Sequence, residues 1–249
     1  MNIFERKFSI PFGKHQLIGD VLSLAETDPG RLVILHGAGL GTRDRFRSLR
    51  TCLAQQGISS LAFDFIGYGE TGGLLSESSL QSRTAQARAV IEAVGLPRPF
   101  SVLGSSMGGY TAVKLLELYP IANLILFVPA MYHTAAYAMP FGESFTRIIR
   151  QPQSWVESDA WRILETFRGR LLLITAEQDD VIPEDVTRRI YASAVQATTR
   201  TSYVVPHCPH LLIHHLSQER RKFEHVVGLI QNHLAEKTSN LNMPPDAIQ

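Results

Sequence analysis

The sequence predicts an α/β fold in one domain, a mostly parallel central sheet with helices on both faces. Three observations predict it. Apolar runs of strand length recur along the chain, stretches with helical patterning lie between most of them, and 45% hydrophobic against 19% charged residues among 249 suits a single domain with a sizeable core. Alternating strands and helices make neighbouring strands parallel and cover both faces of the sheet.

Residues 7–11 and 16–24, on either side of the turn-forming Gly13-Lys14, read as an antiparallel opening pair at one edge. Strands follow at 32–35, 60–63, 100–103, 124–128, 171–175 and 201–205, each short and apolar. Helices are expected at 44–56, 79–94, 107–118, 184–194 and 214–235. Residues 130–168, which contain Trp155, Trp161, Pro140 and Pro152 and show no single helical pattern, read as a small cap inserted over the carboxyl edge of the sheet. Periodicity is lost beyond Glu236, so residues 237–249 read as a flexible tail on a single domain spanning 1–249.

A formal net charge of +1 and the lack of any Lys/Arg block leave nothing to hold a phosphate backbone, which argues against nucleic acid as the main partner and for a small molecule. The two cysteines, Cys52 and Cys208, are far apart and accompany no paired His cluster, so neither a disulfide framework nor a structural zinc site is expected. The first twelve residues alternate charged and apolar types, and the chain has no membrane-length apolar run. A cytoplasmic protein without stable membrane insertion is the expectation, with oligomeric state left open.

The strongest local signal is Gly104-Ser105-Ser106-Met107-Gly108, placed between the strand at 100–103 and the helix opening at Met107. Chance alone produces a Gly-x-Ser-x-Gly about once in ten chains of this composition, so the placement carries more weight than the pattern. A sharp strand-to-helix turn presents Ser106 as a nucleophile and requires glycines two residues to either side, where β-carbons would collide. It also puts the Met107 amide at a helix N-terminus, suited to an oxyanion. A second donor is expected after the strand at 32–35, where His36-Gly37-Ala38-Gly39 turns tightly, and Ala38 N–H is the choice for it. His36 itself reads as stabilising that loop.

The His-Gly-Ala-Gly loop, the Asp64-Phe-Ile-Gly67-Tyr-Gly69 stretch and Gly-Ser-Ser-Met-Gly-Gly together resemble the α/β-hydrolase superfamily over nearly the whole chain. They are similar to elements of small-cap esterases, monoacylglycerol-lipase-like enzymes and dienelactone-hydrolase-like enzymes. The resemblance implies a triad in the order Ser, Asp, His. Its acid falls on Asp179, within Asp179-Asp-Val-Ile-Pro183, with Asp180 one residue late as the alternative. Its base falls on His210, ahead of Leu211-Leu212-Ile213, with His207 as the alternative; Pro209 stands where the family usually has Gly.

The implied activity is hydrolysis of a carboxylic ester or thioester of a small acyl substrate through an acyl-enzyme, with no metal or organic cofactor. Acyl transfer from the same intermediate, carbon–carbon bond hydrolysis and a non-catalytic ligand-binding role are the alternatives. Serine at the elbow argues against dehalogenase and epoxide hydrolase chemistry. Trp155, Trp161, Phe141, Phe145 and Met139 are candidates to line an acyl pocket or simply to pack the cap.

Overall fold

A computed structural model describes residues 2–235, so the tail expected at 237–249 lies outside the described residues. Eight strands form one sheet in the order β1-β2-β4-β3-β5-β6-β7-β8. β1 (Phe4–Phe12) and β2 (His15–Ser23) make the expected antiparallel edge, and β2 also runs antiparallel to β4 (Ser60–Phe63). β3 (Leu32–Leu35), β5 (Phe100–Ser105), β6 (Ile121–Phe127), β7 (Arg170–Gln178) and β8 (Thr199–Pro209) complete the parallel part with β4.

The parallel strands alternate strictly between two cores, as a pleated sheet covered on both sides must. Val33, Leu35, Leu124, Leu126, Leu171 and Leu173 face one core, shared with α2 (Leu80–Val94), α3 (Met107–Leu115) and α6 (Glu184–Ser193). Leu32, Ile34, Ile125, Phe127, Leu172 and Ile174 face the other, shared with α1 (Arg47–Gln55), α7 (Leu212–Gln218) and α8 (Arg220–Ala235).

Three boundaries differ from expectation. A 3-10 turn, Arg43–Phe46, precedes α1, and the last helix is broken at Glu219, whose φ of −120° and ψ of 79° leave the helical region. Strand β8 runs four residues past Val205, through Pro206 and Pro209. Its position at the end of the sheet permits this, because a proline that cannot donate is tolerated where no further strand pairs.

Residues 130–168 form two short helices, α4 (Glu143–Ile149) and α5 (Ala160–Glu165), and two 3-10 turns. Phe141, Phe145, Trp161 and Leu164 are buried in the same core as α2 and α3, whereas Met139 is exposed. The segment is anchored to the start of α2, with Gln81 N donating to Tyr137 O at 2.8 Å and Phe141 N to Ser78 O at 2.9 Å. Asp159, just ahead of α5, accepts from the Tyr110 hydroxyl at 2.7 Å and from Lys114 Nζ at 2.9 Å, both on α3.

Candidate active site

Strand β5 ends in a backbone that only close packing sustains. Ser106 has φ 50° and ψ −119°, a conformation rare for a residue with a β-carbon. Its main chain is held on both sides: Ser106 N donates to Phe127 O at 2.9 Å, and Ser106 O accepts from Ala130 N at 3.1 Å and Gly109 N at 2.9 Å. A β-carbon at Gly104 would collide with the Gly108 carbonyl, and one at Gly108 with the Leu35 carbonyl. The spacing of glycines around the serine is therefore a packing requirement of this turn.

The structure brings Ser106, His210 and Asp179 together from the carboxyl ends of β5, β8 and β7. Ser106 Oγ lies 3.1 Å from His210 Nε2, and His210 Nδ1 lies 3.0 Å and 2.9 Å from the two carboxylate oxygens of Asp179. An ionised carboxylate only accepts, so the proton sits on Nδ1 and Nε2 is left to accept from the serine hydroxyl. Asp179 Oδ1 also accepts from the amides of Val181 and Ile182, each at 2.9 Å. Burial raises the pKa of Asp179, but the hydrogen bonds from His210, Ile182 and Val181 outweigh it and hold the carboxyl below its ordinary value.

His207, the alternative base, is 79% exposed at its side chain and turns toward Glu177, whose carboxylate accepts from His207 N at 2.6 Å. Neither it nor Asp180 joins the relay. Cys208, between the two histidines, is fully buried, and burial pushes its thiol up to about 11. That favours the protonated thiol over a nucleophilic thiolate.

Ala38 and Met107 flank Ser106. Met107 is the first residue of α3, so its amide has no acceptor within the helix. The loop bearing Ala38 presses on the elbow: a β-carbon on Gly37 would meet Ser106 Cβ at 3.0 Å. Side chains from several elements grip this loop. His36 Nδ1 lies 2.7 Å from Gly37 O while its Nε2 accepts from Phe65 N at 3.1 Å, and Arg45 Nε donates to Leu40 O at 2.6 Å. His36 is thus tied to the loop backbone. Its pKa lies well below the ordinary value, chiefly through burial and further through the charge of Arg83.

Arg83 and Arg43 were not apparent from sequence. Arg43, in the turn before α1, is buried, with Nε 2.9 Å from Asp20 and Nη1 bonded to Asp64. Asp64 also accepts from Arg43 N at 2.8 Å and Glu70 N at 3.1 Å, fastening together the loops that follow β3 and β4. Asp64 thus serves to tether these loops.

A hollow of about 90 Å³ opens beside the serine between Ala38, Leu40, Arg45, Phe46 and the 210–214 turn. None of its lining residues comes from 130–168, so the expected cap does not roof it. A larger hollow of about 490 Å³ lies on the far side of Asp179, along β7, β8 and α6, and is lined by neither Ser106 nor His210. Among the described residues, no group of three or more His, Cys, Asp or Glu side chains is gathered to hold a metal ion, and no helix is long and apolar enough to cross a membrane.

Comparison with known proteins agrees with this architecture. An uncharacterized protein of Mycobacterium tuberculosis is 28% identical over 185 residues, 73% of this chain and 63% of its own length, so the match spans less than two thirds of that relative. Among solved structures, a predicted CIB-like hydrolase from Thermoplasma acidophilum has a TM-score of 0.68 at 16% identity, covering 93% of this chain and 100% of that one. An esterase from Exiguobacterium antarcticum has a TM-score of 0.67 at 17% identity, covering 91% and 100%. At such identities these structures speak to the fold alone. The family model for serine aminopeptidases of type S33 matches residues 27–160, more than half of the chain, from ahead of β3 through the elbow to the start of α5; the protein belongs to that family, within the α/β-hydrolases.

Proposed function

We propose that the protein is a serine hydrolase that cleaves a carboxylic ester or thioester of a small acyl substrate. The observation that carries this reading is the unbroken relay from Ser106 Oγ through the His210 ring to Asp179, aligned at 3.1 Å and 2.9–3.0 Å.

In the first half of the reaction His210 Nε2 takes the Ser106 hydroxyl proton as Oγ bonds to the substrate carbonyl carbon. The carbonyl oxygen becomes an oxyanion received by the Ala38 and Met107 amides. Collapse of this intermediate breaks the ester or thioester bond, and the imidazolium gives its proton to the departing alcohol or thiol. In the second half water loses a proton to His210 as it attacks the acyl-serine. Collapse of the second intermediate breaks the acyl–Oγ bond while the imidazolium returns the proton to Ser106 Oγ, releasing the acid and the free enzyme. Asp179 keeps the imidazole in the required tautomer and stabilises its charged form. A short hollow bordered by Leu40 and Leu211, both more than half exposed, favours a small, partly apolar acyl or alcohol group.

The test is fluorophosphonate labelling followed by hydrolysis of p-nitrophenyl esters of graded chain length. Wild type is expected to carry one adduct, on Ser106, and to hydrolyse short esters; Ser106→Ala is expected to lose the adduct and at least about 10³-fold in kcat. Folded wild-type protein that neither labels nor hydrolyses would overturn the reading. Adding alcohol or amine acceptors to the same assay separates hydrolysis from acyl transfer by product.

A further inference from the structure

Arg83 is the most anomalous charge in the molecule. It lies on the buried face of α2 with none of its side chain exposed, and among the described residues its Nε and Nη1 have no hydrogen-bond partner and it forms no ion pair. Its guanidinium stacks 3.7 Å from the centre of the Phe65 ring, and Nη2 donates to the carbonyl of His36. Burying a cation without a counter-ion costs stability, which the stacking and one hydrogen bond offset only in part.

The location gives the charge a use. The His36 carbonyl that Arg83 holds lies against the nucleophile elbow, since a β-carbon on Gly108 would come within 2.7 Å of it. In a trans peptide the C=O and N–H point in opposite directions. Pinning the His36 carbonyl therefore fixes where the loop leaves β3, and the His36 ring, bonded to the Gly37 carbonyl at 2.7 Å, turns the Ala38 N–H the opposite way. That ring can do so in one state only. Its Nε2 accepts from the Phe65 amide at 3.1 Å, so it must be neutral, with the proton on Nδ1. Arg83 helps to keep it neutral, its charge adding to burial in opposing protonation of His36.

We infer that Arg83 is a positioning residue for the oxyanion site: it holds the His36 carbonyl, locks the His36 ring in the tautomer that aims the Ala38 amide, and sets a positive charge against the base of the loop that carries that amide. This rests on the hydrolase reading above. Because an oxyanion exists only in the transition state and intermediate, the contribution should appear in kcat and be nearly absent from KM.

The experiment compares wild type, R83M and R83Q on a short p-nitrophenyl ester, normalised by active-site titration, together with inhibition by a phenylboronic acid that forms a tetrahedral adduct on Ser106. In R83M kcat is expected to fall about 10- to 100-fold with KM within about threefold, and boronate affinity to fall in proportion to kcat. Its activity should also decline more steeply on the acid side than that of wild type, as His36 becomes easier to protonate. Folded R83M with kcat and boronate affinity within about twofold of wild type would overturn the inference. Should R83M fail to fold, R83Q decides on the charge, since it keeps a donor for the carbonyl: a fall in kcat and boronate affinity of about tenfold or more supports the charge's role, and values within about twofold of wild type overturn it. Wild type inert toward ester and fluorophosphonate would overturn the hydrolase reading and this inference with it; an active wild type with unchanged variants overturns the inference alone.

Discussion

Asp179 receives the His210 ring on both carboxylate oxygens and two backbone amides on Oδ1. Replacement by Asn keeps the size but puts an NH2 donor where only acceptors fit, so the ring turns or changes tautomer. Asp179→Asn is expected to lower kcat by about 10⁴-fold while Asp180→Asn stays within about threefold, read by steady-state kinetics on the same ester. The resemblance to the family placed the acid on Asp179 rather than Asp180 and the base on His210 rather than His207, and it is Asp179 and His210 whose side chains meet. Arg43 and Arg83 were not legible in the sequence, because arginine is ordinarily a surface residue and the groups that receive these two lie on other elements. Arg83 meets His36 and Phe65, 47 and 18 positions away.

At the level of elements, the parallel strands and the elbow were readable because short apolar runs and flanking glycines both reflect local necessity. The break at Glu219 carries no Gly or Pro signal, and the prolines of β8 argue against a strand unless its edge position is known. The two kinds of glycine give opposite expectations. Gly108→Ala drives a β-carbon into the backbone of β3 and should destabilise the protein by about 2–4 kcal/mol. Gly228→Ala, in α8 with nothing within 4 Å of the added carbon, should stabilise it by about 0.5–1 kcal/mol. Urea denaturation of the two variants checks both signs.

Across the whole molecule, α8 closes the second core against the sheet, and His233 sits in that seam, 4% exposed, with Nε2 3.3 Å from the Arg170 carbonyl. Burial, reinforced by the Arg170 charge, pushes its pKa down to about 4. The unfolded chain, with histidine near 6.5, then binds the proton more readily than the folded one between those values. The contribution is complete above about pH 6.5 and is lost as pH falls toward 4, by up to about 3 kcal/mol. Urea midpoints at pH 7.5 and 5 should therefore differ less in His233→Gln than in wild type; equal differences would exclude His233 as the source. The order of the reactive groups along the chain has its own consequence during synthesis. The elbow at Ser106 draws on β3, β5 and β6, but the imidazole arrives only after the end of β8, about eighty residues beyond β6. On the hydrolase reading, a nascent or truncated chain lacking that strand would carry the serine without its base, so reactivity is expected only once the sheet is complete.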